Sequence, residues 1–273
     1  MHEIVAKRRP LVMIFLGFLF LLQAGAARAA GPVLDRVMDS GVLRVAMSVD
    51  QPPFTMRSRD KTVIGFDVDL ARALASTMQV QLEIVELPFG ELLVALKEGK
   101  ADLVISGLSI TPERSRQVSF VGPYLLSGKS ILTTARIKSV VKDSSDFNDP
   151  EIRLVALKNS TSESFVQRQM PEASLHAIAN YNEGIQMLLT GSVDAMVADV
   201  PILKLSMLRY PDAGMGIVEP QLSVEPLGIA LAVGDTQFEN LLRNYLLAFD
   251  QAGLIPRLRQ KWLEDNSWMV SLP

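Results

Sequence analysis

Asp102-Leu103-Val104-Ile105-Ser106-Gly107-Leu108-Ser109-Ile110-Thr111-Pro112-Glu113-Arg114 reads as a buried strand that ends at a glycine, opens into a loop and starts a helix. Asp102–Ser106 (DLVIS) is apolar in the manner of a strand covered on both faces. Thr111-Pro112 is a strong helix start, a hydroxyl at the N-cap followed by proline at the first helical position. The carboxyl end of a strand in an α/β sheet is where small ligands bind. Arg114 falls in the first turn of the new helix, where the dipole opposes a cation. An anion would satisfy it. A guanidinium fork matches a carboxylate bidentately, and the Ser109 hydroxyl is close in sequence. A surface arginine paired to a neighbouring glutamate fits the same spacing, and both readings stand at this point.

Working outward, strands alternate with helical periods, the α/β signature. Val42–Ser48 alternates like a strand. Asp67–Met78 carries Val68, Ala71, Leu74, Ala75 and Met78 on one face at helical spacing. Gln81–Val85 is a short strand, Phe89–Lys97 a helix ending at Gly99, and Asp102–Ser106 the next strand. Two β–α–β units thus occupy residues 42–106, with right-handed crossovers. A second run follows: strand Arg153–Leu157, helix Ser162–Gln169, helix Tyr181–Leu189 ending at Gly191, and strand Ala195–Ala198. Leu227–Val233 is a further apolar strand, and Phe238–Ala252 and Pro256–Glu264 are amphipathic helices. Between the runs lie the apolar Leu132–Ile137 and the polar loop Lys142–Pro150. No internal repeat, low-complexity tract or heptad run is evident. The pattern predicts two α/β lobes, with the C-terminal helices returning to the first.

The chain of 273 residues holds 27 Lys+Arg, 30 Asp+Glu, 48% hydrophobic residues, two His and no Cys. That apolar fraction is ample for a core, and the charge balance lacks the basic footprint of a nucleic-acid binder. Without cysteine there are no disulfides, thiolate metal sites or thiol nucleophiles. At the N-terminus, Lys7, Arg8 and Arg9 precede an apolar run from Leu11 to Leu22, and Ala27-Arg28-Ala29 fits a small-residue cleavage site. The expectation is a cleavable signal peptide over residues 1–29, cut after Ala29. The run of 12 apolar residues is short of the roughly 20 needed to span a bilayer. No cysteine follows to carry a lipid anchor. The mature chain, 30–273, keeps 23 basic and 29 acidic groups and one histidine, His176. No G-x-S-x-G elbow exists to pair with it. An exported, mildly acidic protein without cysteine is expected to be soluble, in the periplasm or outside the cell.

Two further stretches resemble the first in kind. Lys158-Asn159-Ser160-Thr161-Ser162-Glu163 contains an S-x-x-E capping box. It either only starts a helix or also offers N–H groups and hydroxyls to an anion. Asp194-Ala-Met-Val-Ala-Asp199-Val200-Pro201 puts Asp199 at the end of an apolar strand before a proline. That carboxylate either caps the next helix or accepts an ammonium group. Asp67 and Asp69 are read as first-turn acids that complement the helix dipole, and Met187, Met196 and Met207 as core.

Taken together, Gly41-Val-Leu-Arg-Val45, Pro52-Pro53-Phe54, Gly65-Phe-Asp-Val-Asp-Leu70, Gly99-Lys-Ala-Asp102, Gly107-Leu-Ser-Ile-Thr-Pro-Glu-Arg114, Phe120, Pro123-Tyr124 and Asp194–Asp199 resemble the family 3 extracellular solute-binding proteins, the polar-amino-acid receptors of ABC importers. The resemblance spans essentially the whole mature chain. It implies a type II periplasmic binding protein: two Rossmann-like lobes joined by two crossover strands, closing on ligand in the cleft between them. Lobe 1 would be 30–126 plus 224–273 and lobe 2 would be 130–222, with crossings near Leu126–Lys129 and Gln221–Glu225. Carried over by residue, Arg114 would clamp the ligand α-carboxylate, aided by Ser109 and Thr161. Asp199 would take the α-ammonium with the backbone carbonyl of Ser106, beside Gly107, and Phe89 would pack on the ligand side chain.

Two positions depart from the family pattern. Gln51 stands where an aromatic usually completes the sandwich, and Ser48 where receptors for basic amino acids carry Asp. Both point away from a basic ligand. Asn159 replaces a usual glycine at a left-handed position that Asn tolerates. The implied partners are an amino-acid-like solute and an inner-membrane ABC permease. A monomer without cofactor, metal or catalytic residues is expected. The same bilobed fold serves periplasmic cyclohexadienyl (prephenate/arogenate) dehydratases, whose catalytic acid the resemblance would place at Glu163, and ligand-sensing domains, so fold alone does not decide function.

Overall fold

In a computed structural model, residues 32–141, 143–265 and 267–272 are described; the expected signal peptide, residues 1–29, lies outside them. Two five-stranded sheets carry the architecture. The first runs, edge to edge, Gln81–Glu86, Val42–Met47, Leu103–Val104, Glu225–Leu231 and Ser119–Ser127. The second runs Ser174–Ile178, Arg153–Leu157, Ala195–Asp199, Lys129–Thr134 and Met215–Ile217. In each, the first three strands are parallel and follow a second-first-third order. The fourth then joins antiparallel. That order creates a switch point, and the crevice beyond the strand carboxyl ends is the ligand position of such sheets.

The apolar sequence runs become the cores. Val68, Ala71, Leu74, Ala75 and Met78, the stripe expected on the helix Phe66–Met78, are all buried against Leu43, Val45 and Leu103 of the first sheet. Each fully buried Val or Leu contributes about 1.5–3 kcal/mol. Gln79, in the left-handed region, ends the helix, its N–H returning to the Ser76 carbonyl. Met196 is buried, while Met187 and Met207 pack partly buried on the same core. The helix Thr236–Gln251 packs against Ser119–Ser127, so the C-terminal helices return to the first sheet as expected.

The apolar Leu132–Ile137, left unassigned by the sequence pattern, splits between strand Lys129–Thr134 and the short helix Ala135–Lys138. One expectation needs correction. The chain contains a structural repeat that the letters conceal. In the first sheet, Asp102 accepts the Arg44 backbone N–H at 2.8 Å and its guanidinium at 2.8 Å. In the second, Asp194 accepts the Arg153 backbone N–H at 3.0 Å and its Nε at 2.9 Å. Each Asp follows a glycine by three residues (Gly99, Gly191) and opens the third strand of its sheet. The same clamp recurs in both sheets among otherwise different residues.

The two sheets are linked twice. Ser119–Ser127 passes through Gly128 into Lys129–Thr134, and the segment after Met215–Ile217 returns into Glu225–Leu231. The crossings touch: the Lys129 N–H donates to Ser223 Oγ at 3.3 Å and the Leu222 N–H to the Lys129 carbonyl at 2.8 Å. A Cβ at Gly128 would collide with the Ser223 carbonyl, so only glycine fits there.

Candidate functional site

The carboxyl ends of six parallel strands face one another across the crevice. From the first sheet come Ser48–Gln51, Phe89 and Ser106–Arg114; from the second, Asn159–Thr161, Tyr181 and Asp199. The crevice is closed. Arg114 reaches across it to the Asn159 carbonyl at 3.5 Å, and a Cβ at Gly90 would collide with the Asn159 side chain.

Local structure places each group. Thr111 caps the single turn Pro112–Ser115 by accepting the Arg114 N–H at 3.2 Å. The Arg114 guanidinium then folds back, Nη1 donating to the Ser109 carbonyl at 3.0 Å, its Cζ lying 5.6 Å from the centroid of the Phe89 ring. Among the described residues Arg114 forms no ion pair with a glutamate; it points into the crevice, and desolvation lowers its pKa to about 10 against the pull of Asp199 and Glu113. The loop that carries it is tied down: the Ile110 N–H donates to the Pro226 carbonyl at 2.8 Å and the Gly228 N–H to the Leu108 carbonyl at 3.0 Å.

Ser160 does cap the helix Thr161–Gln169, accepting the Glu163 N–H at 3.1 Å, and the Glu163 carboxylate accepts the Asn159 N–H at 2.6 Å. Asn159 is left-handed at φ 61°, as its chemistry allows. The same helix start leaves the Thr161 hydroxyl out of the cap, facing the crevice. Asp199 occupies the N-cap of Val200–Arg209 yet makes no capping hydrogen bond. Among the described residues its Oδ1 is buried without a partner, and burial raises its pKa to about 6 against the pull of Lys129 and Arg114. A desolvated carboxylate without a donor is a seat for a cation.

Sequence reading missed four members of this group. Lys129, fully buried at the first crossing, ion-pairs with Glu225 at the second. Desolvation, relieved in part by Asp199, leaves its pKa at about 8. Glu225 also accepts from Ser109 Oγ at 2.6 Å and from Thr161 Oγ1 at 2.9 Å. Ser109 and Thr161 thus converge on a carboxylate of the chain itself. Tyr181 is buried with its hydroxyl in the field of Asp199, Asp50 and Arg114. Asp50 accepts from Ser48 Oγ at 2.5 Å and has its pKa raised by burial. A lone lysine heading the strand-like, β-branched stretch Ser130–Thr134 was the one available signal.

Gln51 is buried with Nε2 unpartnered, its Oε1 beside Gly107. Ser106 Oγ accepts the Ser48 N–H at 3.0 Å. Asp69 does balance charge at the helix start, bonding Arg72, Lys261 and Trp262. Asp67 does not: it is fully buried and accepts the Gly107 N–H at 2.5 Å, bracing the strand-end loop from behind. Burial, opposed by that N–H and by Tyr124, raises its pKa from 3.8 to about 7. Between those values the folded state holds a proton that the unfolded state has lost, so stability falls as pH rises through the window. Asp67→Asn is expected to flatten the fall of melting temperature over that range, read by calorimetry. A slope equal to that of the wild type would show Asp67 ionised.

The profile of the bacterial extracellular solute-binding proteins, family 3, matches residues 43–265, and the chain belongs to that family. It is 29% identical over 253 residues to the cyclohexadienyl dehydratase of Pseudomonas aeruginosa, covering 91% of this chain and 92% of that protein. To the L-arginine-binding protein of the same organism it is 32% identical over 235 residues, covering 81% and 87%. The crystal structure of an ancestral amino acid-binding protein, a precursor of cyclohexadienyl dehydratase, superimposes with a TM-score of 0.79 at 33% identity, over 84% of this chain and 99% of that one. The fold is that of the type II periplasmic binding proteins.

Proposed function

We propose that the protein is a periplasmic receptor that binds an amino acid or amino-acid-like solute and delivers it to an inner-membrane ABC permease. The observation that carries this reading is the pairing, across one closed crevice, of an inward-facing guanidinium, Arg114, with an unpartnered buried carboxylate, Asp199. Opposite charges held apart in a dry cleft suit a zwitterion. Arg114 and Ser109 receive its carboxylate, Thr161 adds a donor from the other lobe, and Asp199 and the Ser106 carbonyl take its ammonium. Gly107 gives backbone access, while Phe89 and Gln51 flank the side chain. The lobes comprise 30–126 plus 224–273 and 130–222. Residues 1–29 direct export and are removed, and the mature chain acts as a monomer. Contacts that form only when both lobes touch the ligand shift the population toward the closed state.

The dehydratase relative supplies the second reading. Glu163, the acid assigned to it, is held on the Asn159 N–H at the helix start, which favours binding over catalysis. A thermal-shift panel of the mature protein against L-amino acids, opines, polyamines and prephenate tests both. A ligand at about 100 times its Kd adds ~2.7 kcal/mol, a rise of roughly 5–10 °C. A shift with an α-amino acid is expected. Silence across amino acids, with turnover of prephenate, would overturn the receptor reading in favour of the enzyme.

A further inference from the structure

Glu225 does something a receptor for carboxylates does not require. Its Oε2 accepts both Ser109 Oγ, from a loop of the first sheet, and Thr161 Oγ1, from a helix start of the second, at 2.6 and 2.9 Å. Its Oε1 pairs with Lys129 and lies 3.4 Å from Ser223 Oγ. Each hydroxyl has one proton to donate, so these two donors cannot serve Glu225 and a ligand carboxylate together. The Glu225 carboxylate sits on the second crossing and its counter-ion Lys129 on the first. The bond to Thr161 therefore bridges the lobes, while the bond to Ser109 stays within the first and the bond to Lys129 within the hinge.

We propose that Glu225 is a resident carboxylate that occupies the ligand's carboxylate seat and ties the lobes together there, so that binding is an exchange of one carboxylate for another. The inference rests on the receptor reading and deepens it. The incoming carboxylate takes Ser109 and Thr161, and Glu225 turns about its bond to Lys129, which is kept. Dislodging Glu225 calls for a ligand with a carboxylate of its own, and Asp199 calls for an ammonium. The class is therefore the α-amino acid zwitterion; an amine lacking the carboxylate leaves Glu225 in place.

Small-angle scattering of ligand-free protein, with calorimetric titration of the amino acid giving the largest thermal shift, tests this on Glu225→Gln and on the double variant Lys129→Met/Glu225→Leu. The double variant replaces a buried ion pair with apolar groups, a change that folded proteins commonly tolerate. Both variants are expected to scatter as a more open particle than ligand-free wild type and to bind the amino acid about tenfold more tightly, because no hydroxyl bonds to a charged group are broken on entry. Scattering that superimposes on the wild type, or affinity that is unchanged or weaker in both variants, would overturn the proposal while leaving the receptor reading intact. Open variants with no amino acid bound by any form would sustain Glu225 as the closing group and remove the receptor reading instead.

Discussion

Arg114→Ala is expected to weaken binding of the amino acid by about a hundredfold or more, some 2.7 kcal/mol. The guanidinium is half-buried, lies over Phe89 and is anchored by backbone carbonyls from both lobes, Ser109 and Asn159. Its orientation is thus fixed by the chain itself. Truncation does two things: it leaves a ligand carboxylate in a dry cleft without its cation, and it strands two carbonyls that Arg114 satisfied. Arg114→Lys, which keeps the charge and loses the planar fork, is expected to fall between the two. Isothermal titration with the best ligand of the panel is the measurement. Equal affinity for Arg114→Ala and the wild type would remove Arg114 from the site.

The second large effect concerns the opposite pole. Asp199→Asn is expected to weaken an α-amino acid by about thirtyfold, some 2 kcal/mol, and its des-amino analogue far less. The carboxylate carries an unpartnered oxygen and a pKa raised to about 6 by burial. A ligand ammonium is the group that relieves it. The same desolvation destabilises the empty protein once the group ionises. Ligand-free Asp199→Asn is therefore expected to melt no lower than the wild type above about pH 6. Equal losses for the amino acid and its des-amino analogue would refute ammonium recognition at this position.

The half of the site that lies on strand ends is local, so spacing singled out its residues, while the family resemblance supplied their roles. A strand, a turn and a helix start fall within a dozen residues, and capping chemistry dictates which side chains are held and which are left over. Thr111, Ser160 and Glu163 are held in caps; Arg114, Thr161 and Asp199 are left over. What the letters could not disclose is non-local. Lys129 and Glu225 are far apart in the chain and meet only because the two crossings run side by side. Asp67 looked like an ordinary first-turn acid, since nothing in its neighbourhood foretells that Gly107 will arrive above it. The twin Arg–Asp clamps escaped notice for a related reason. They are equivalences of position in a sheet, resting on an arginine, a glycine and an aspartate apiece.

That the chain leaves the first sheet at Gly128 and comes back at Ser223, two residues in contact, has a consequence for how such a molecule can be rebuilt. Everything from Lys129 to Leu222 is a cassette whose two ends open at the same doorway. A short linker from Ser127 to Val224 would close the remaining sheet without moving its strands. A foreign cassette spliced between the same points would bring its own counterparts of Thr161, Tyr181 and Asp199 to the untouched Arg114. Chimaeras cut here exchange half of a binding pocket as a single interchangeable part.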